Sequence, residues 1–270
     1  MLLIIGNGFD LNLGLKTSYN DFINSNYFLD ILSSNYLAKY LIDKKGLNNW
    51  IDIENEFCNY SNETSYIQDS RENFEKDYIQ IKHQLVEYLK SIEYKDIKKD
   101  SYSYKLLEEI KESQKVTILN FNYTNSIETI FKQNNWELNS KIINIIYCHG
   151  TIQNDDIIFG VEDSAKIKRE HMFLKKSCDI KYPSINVEEH LNREYKIFFI
   201  GHSLGKSDYS YFNHFLYDIS SNYNNKEILF TYYGNDFNKL TMELDELTLG
   251  NVSKLRCNNK VIFKDIKATN

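Results

Sequence analysis

At 270 residues, with 42% hydrophobic and 14% aromatic side chains, the chain can bury the core of one large α/β domain or of one domain with a big insertion. A net charge of −6 removes any global positive field that would favour nucleic acid, and no apolar run approaches the ~20 residues of a membrane span. Cys58, Cys148, Cys178 and Cys257 show no C-x-x-C spacing, which argues against zinc and for thiols in a reducing cytoplasm.

The first element is the apolar run Met1–Ile5, which stops at Gly6-Asn7-Gly8 and continues as Phe9-Asp10-Leu11-Asn12. This predicts a buried parallel strand turning through two glycines into a helix, with N–H groups and a helix N-terminus beside a space suited to a phosphate. A core strand that begins at the first residue leaves no room for a targeting segment. Residues 23–114 read as mostly helical. The stretch 24–43 is apolar at helical spacing, and Phe74, Tyr78, Ile81, Leu85, Tyr88 and Ile92 line one helix face, with His83 on the solvated side. Ser61 to Ser70 reads as a loop.

Strands and helices then alternate. Lys115–Leu119 predicts a strand, and Asn125-Ser126-Ile127-Glu128 a capping box that opens a helix. Ile142–Tyr147 and the shorter Ile157–Phe159 predict two more strands, and Lys196–Ile200 another. Ser207 and Asp208 open a helix with Tyr211, Phe212, Phe215, Leu216 and Ile219 on one face. Glu227–Tyr232 and Lys260–Phe263 are the last strands, with a helix over Asn235–Leu249 between them. The alternation predicts a single α/β domain over 1–270, with a doubly wound, mainly parallel sheet and a helical insertion at 23–114.

In such sheets ligands sit beyond the carboxyl ends of the strands. The segments found there are Gly6–Asp10, Asn120–Thr124, Tyr147–Gly150, Gly160–Asp163 and Gly201–Gly205. Each has a plain structural role when taken alone: a tight turn, an Asn closing its own turn, a satisfied histidine. Small polar side chains at successive strand ends point instead to one shared site. The glycine turn at Gly6–Phe9 would place N–H groups and a helix N-terminus beside a phosphate or pyrophosphate in that site.

Gly6-Asn7-Gly8-Phe9-Asp10 followed by Gly14-Leu15-Lys16-Thr17-Ser18-Tyr19 resembles the signature of the AbiH family of phage abortive-infection proteins. Trp50 with Asp52 and Glu54, the block Asn120–Thr124, His149-Gly150, and Gly201–Leu204 with Asp208 resemble further blocks of that family. The order of blocks is also similar to the sirtuin-type NAD-binding fold: G-A-G-x-S, T-x-N-x-D, H-G, F-G-E and G-T-S-L match Gly6–Asp10, Phe121–Thr124, His149-Gly150, Phe159–Glu162 and Gly201–Leu204. The resemblance departs at Asp10, Tyr19 and Thr124. Only Thr151 to Asp156 separate two blocks between which sirtuins carry a zinc ribbon, so a protein deacylase is disfavoured.

The resemblance implies catalytic Asn122 and His149: Asn122 would orient a ribose hydroxyl or a water, and His149, with an ordinary pKa of ~6.5, would act as base, while Ser203 would bond a ribose or phosphate and Asp10 and Glu54 would be carboxylates at the rim. It implies cofactor contacts at Gly6, Asn7, Gly8, Phe9, Asp10, Thr17, Tyr123, Thr124, Gly201, His202 and Ser203, with NAD as substrate or ligand and no metal. The function it implies is antiphage defence by hydrolysis of NAD⁺ to nicotinamide and ADP-ribose. The alternatives are a non-catalytic NAD-sensing module that regulates a partner, and an interaction-based toxin with a vestigial site. Expected partners are the nucleotide, a phage-derived or host trigger and further copies of the chain, with neither membrane nor nucleic acid.

Overall fold

In the computed structural model, which describes residues 1–44, 50–63, 71–112, 115–139 and 142–267, with the side chains of 50–52 and 71 outside that description, the apolar runs become strands. They are β1 Leu2–Ile5, β2 Val116–Asn120, β3 Ile143–Tyr147, β4 Lys196–Ile200, β5 Glu227–Tyr232 and β6 Lys260–Asp265. One sheet contains them in the order β3-β2-β1-β4-β5-β6. All its pairings are parallel, so the doubly wound α/β architecture is present.

The strands are continuous apolar runs because both sheet faces are covered. Leu2 and Ile4 share a core with Phe212, Phe215, Leu216 and Ile219 of the helix Tyr209–Ser221, and with Leu240, Leu244 and Leu255. Leu3 and Ile5, on the opposite face, are equally buried. Phe230 stacks on Phe199 at 4.8 Å and on Phe263 at 5.7 Å between ring centroids, which ties β4, β5 and β6 together on one face. Each such side chain contributes about 1.5–3 kcal/mol by leaving water.

The chain divides into two compact units. The sheet unit comprises Met1–Leu15, Glu93–Cys148 and Ser184–Asn270, and the helical unit Lys16–Ile92 and His149–Pro183. The helical zone read across 23–114 is therefore shared: the helix Tyr102–Ile110 belongs to the sheet unit.

Within the sheet unit, one buried cation closes a helix. Lys226 Nζ donates to the carbonyls of Leu191, Asn192 and Glu194 at 3.1, 3.0 and 2.8 Å, at the end of the helix Val187–Arg193. Burial lowers its pKa, but the three carbonyls keep the ammonium tolerable there. Lys226→Met should lower stability by about 1–3 kcal/mol in urea denaturation, because buried acceptors lose their donor. An unchanged midpoint would mean that water replaces the ammonium.

Within the helical unit, Tyr19–Ile23, Asn26–Leu29, Tyr36–Asp43, Trp50–Glu63 and Arg71–Lys90 are helices. A capping box forms at Ser18 and Asp21. Asn35 Oδ1 accepts from Ala38 N at 2.7 Å, and Asp77 of the long helix accepts from Tyr36 N and Leu37 N, so two side chains satisfy one helix start. Phe74, Tyr78, Ile81, Leu85 and Tyr88 are buried along one face of Arg71–Lys90, and His83 is exposed.

Three expectations are corrected. Ser61 to Glu63 continue the helix Trp50–Glu63 rather than opening a loop, and 64–70 lie outside the described residues. Ile157–Phe159 joins no sheet. Its apolar character serves burial among aromatic rings: Phe159 meets Phe57 edge-on at 5.3 Å and stacks on Tyr78 at 6.1 Å. Its backbone is satisfied elsewhere, Ile158 N by His149 O at 2.7 Å and Phe159 O by the Tyr78 hydroxyl. Finally, the helix Ser126–Gln133 starts where the capping box was read, but Asn125 makes no side-chain cap. Ser126 Oγ donates to Asp10 instead, and Glu128 accepts from the Tyr147 hydroxyl.

Candidate functional site at the carboxyl ends of the parallel strands

The strand order reverses between β1 and β4, the place where doubly wound sheets open a crevice. The two turns that meet there are Gly6–Phe9 and Gly201–His202. Gly8 N donates to Gly201 O at 2.9 Å, Gly6 N to Ile200 O at 3.1 Å and Phe9 N to Gly6 O at 2.9 Å. A Cβ on Gly6 would lie 2.7 Å from His202 Cα, and one on Gly8 2.8 Å from Gly201 Cα. The glycines thus let two backbones pack directly against each other. The N–H groups expected to face a phosphate at Gly6, Gly8 and Phe9 are donated to the chain's own carbonyls, which corrects the cradle read from the sequence.

Beside this contact lies a buried carboxylate. Asp10 is 0% exposed. Its Oδ2 accepts from Thr124 Oγ1 at 2.5 Å and its Oδ1 from Ser126 Oγ at 2.7 Å. Burial pushes its pKa up to about 6, against the opposing pull of Thr124, Ser126 and Asn122. Asn122 is 6% exposed, and its Nδ2 is buried outside hydrogen-bond geometry while near enough to favour the Asp10 carboxylate. Asn120 Oδ1 accepts from Asn122 N at 2.9 Å, and Phe121 N donates to Ile5 O at 2.9 Å, which ties the loop after β2 to β1. Asp10, expected at the rim, is interior.

His202 is also interior. Its Nδ1 accepts from Leu204 N at 3.1 Å, which leaves the proton on Nε2, 3.4 Å from Asp208 Oδ2. Its ring meets Phe121 edge-on at 4.7 Å. These bonds hold the loop after β4 in place. Ser203 is exposed, and Asn7 and Tyr123 are half-buried.

The sheet unit therefore gathers Gly6 to Asp10, Asn122 to Thr124 and Gly201 to Ser203 at one end of β1, β2 and β4. Thr17 and His149 belong to the helical unit. Thr17 is buried just before the Ser18 cap. His149 is buried in a turn closed by Gly150, whose φ is +71° and whose Cβ would lie 2.0 Å from Asp156 O. Glu54, also expected at a rim, is buried in the helical unit and paired with Lys176 at 3.1 Å. Trp50 and Asp52 have side chains outside the described residues.

The sequence places Asn120 in a strand-end segment and Ser126 at a helix start without giving either a site role, and gives Tyr94 none. Ser126 opens the helix Ser126–Gln133, so the sequence offers it only as a helix-start residue, and its bond to Asp10 comes from the fold. Only the fold brings the Tyr94 hydroxyl near Asp10 and Glu128. Among the described residues no three His, Cys, Asp or Glu side chains group closely enough to hold a metal ion, and no helix is long and apolar enough to cross a membrane.

The family model described as bacteriophage abortive infection AbiH matches residues 2–232. No curated protein and no solved structure matches the chain.

Proposed function

The chain belongs to the AbiH family of bacteriophage abortive infection proteins, and from that premise we propose that it acts in abortive infection by hydrolysing NAD⁺ to nicotinamide and ADP-ribose at the carboxyl end of its parallel sheet. The observation that supports this most is the reversal of strand order between β1 and β4, with Asn122, Tyr123, Asn7 and Ser203 gathered at the strand ends around it. Dinucleotides bind at that point of doubly wound sheets.

The bond to break is the glycosidic bond between ribose and the nicotinamide nitrogen. Its electron pair returns to a leaving group that is already cationic, so no general acid is needed. A water adds at the ribose carbon and releases a proton. Asn122 orients that water or a ribose hydroxyl through its amide oxygen. Asn7 and Ser203 reach the ribose and phosphates with side-chain groups, since the Gly6, Gly8 and Phe9 N–H groups already donate within the chain. The resemblance to sirtuins implies His149, which belongs to the helical unit, as the base. Loss of the NAD pool would halt host metabolism and phage replication together.

The test is nicotinamide release from NAD⁺ by the full chain, alone and in extracts of phage-infected cells. Asn122→Ala and His149→Ala should each lower turnover by about 10²-fold or more. No turnover by the wild type under either condition sinks the hydrolase reading. A second reading, nucleotide sensing without turnover, draws support from the burial of Asp10, Asn122 and Thr124 against one another. It expects saturable NAD binding with no product. If both variants keep full toxicity in cells, a toxin with a vestigial site replaces both readings.

A further inference from the structure

Asp10 stands where its side chain meets the loop that carries Asn122 and not solvent. Thr124 of that loop and Ser126, which opens the following helix, donate hydroxyls to it, and the buried Nδ2 of Asn122 lies near it without hydrogen-bond geometry. An ionised carboxylate attracts the amide NH₂ and repels the amide carbonyl. We infer that Asp10 is a positioning residue: it turns the Asn122 side chain so that Nδ2 faces the carboxylate and Oδ1 is left as the acceptor offered to a ligand hydroxyl or water. The assignment moves Asp10 from cofactor contact to a role exerted through Asn122. Its consequence for turnover rests on the hydrolase reading above, while the orientation itself does not.

The position is otherwise an unfavourable one for a carboxylate. A fully buried acid with only hydroxyl and amide partners is held charged against its own desolvation. An Asn or Ser at position 10 would satisfy the same hydroxyls at no such cost. The charge is explained if the neighbouring amide has to be kept in one of its two flips.

The orientation should then depend on pH, because Asp10 titrates near 6 in the folded chain. The ionisable groups that interact with it are Tyr94 and Tyr147 on β3, and both of these also interact with Glu128 on the helix Ser126–Gln133. Burial pushes both tyrosines up, so they stay neutral across this range. Glu128 already accepts the Tyr147 hydroxyl through both its oxygens, at 2.7 and 2.8 Å.

The experiment follows the side-chain amide of Asn122 by NMR in the full chain labelled with [¹⁵N]asparagine, from about pH 5 to about pH 8, the range that brackets the Asp10 titration. The expected result is a shift with a midpoint near 6 in the wild type, retained in Glu128→Gln and absent in Asp10→Asn. Should Asp10→Asn not fold, Thr124→Val serves instead: losing a donor to the carboxylate should move the midpoint upward. An Asn122 signal that does not titrate in the wild type, or a midpoint that Thr124→Val leaves unmoved, overturns the inference. Where NAD⁺ turnover is present, Asp10→Asn should lower kcat about 10-fold with KM within about twofold, and should cost nothing further in an Asn122→Ala background. An equal loss in both backgrounds marks Asp10 as merely structural and overturns the inference. Absence of turnover bears only on the hydrolase reading, since the NMR titration decides the orientation by itself.

Discussion

Gly201→Ala should lose about 3–5 kcal/mol of stability, enough to unfold much of the population of a domain whose total stability is of order 5–15 kcal/mol. Gly201 has a φ of +62°, and a Cβ there would sit 2.2 Å from Phe9 N and 2.4 Å from Gly8 C. Both obstacles are backbone, so no side-chain rotation relieves them. The turn after β4 would have to separate from the turn after β1 and break the Gly8 N to Gly201 O bond. Gly250→Ala is the control. Its φ of +79° is similar, but a Cβ there meets nothing within 4 Å. That substitution should cost only about 1–2 kcal/mol, the intrinsic strain of a left-handed L-residue. Urea denaturation of both variants separates steric contact from backbone strain. Equal losses would show that the two turns do not pack as described.

Asp10→Asn should make the chain more stable than wild type at about pH 8 and equal to it near about pH 4, where both carry a neutral side chain. Asp10 has a folded pKa of about 6 against 3.8 for the free group. The folded state therefore holds a proton that the unfolded state has released throughout the window between those values. Wild-type stability falls as pH rises from about 4 to above 6, and the full cost at pH 8 is about 3 kcal/mol at 1.36 kcal/mol per unit. The sign is opposite to that of a salt-bridged carboxylate, because desolvation outweighs the hydroxyl and amide bonds here. Thermal or urea unfolding across the pH range reads the slope directly. A wild-type profile that is flat relative to Asp10→Asn would show that the carboxylate is better solvated than its burial implies.

The two experiments probe the same small region from different sides. Gly201 tests whether β1 and β4 approach closely enough to define the switch point. Asp10 tests whether the chain tolerates a charge there at a cost in stability, as residues with a task beyond folding often do.

Much of the architecture was legible because buried parallel strands are continuous apolar runs ended by glycine or small polar residues. Leu2–Ile5, Lys196–Ile200 and Glu227–Tyr232 carry that signal, and all are strands. Ile157–Phe159 carries it too and is not a strand, because three apolar residues say only that a segment is buried. The pairing partner that makes a strand is a tertiary matter. The capping box at Asn125–Glu128 failed for a related reason. Local sequence offers Ser126 and Glu128 to the helix start, but a buried carboxylate and a tyrosine hydroxyl compete for them, and both come from distant parts of the chain.

By itself the sequence determined the membership of the chain in its family, the alternation of strand and helix, and the small polar residues at the strand ends. Those properties live in short contiguous segments, where periodicity and motif are written. Only the tertiary structure decided the strand order, the donation of the Gly6 and Gly8 N–H groups to Ile200 and Gly201 at the end of β4, and the burial of Asp10 beneath the loop of Asn122. Each depends on which segments become neighbours across more than 100 residues of chain, as between Asp10 and Thr124. Burial and hydrogen-bond partnership are properties of those neighbours, and they turn a glycine motif that reads as a phosphate cradle into a backbone contact.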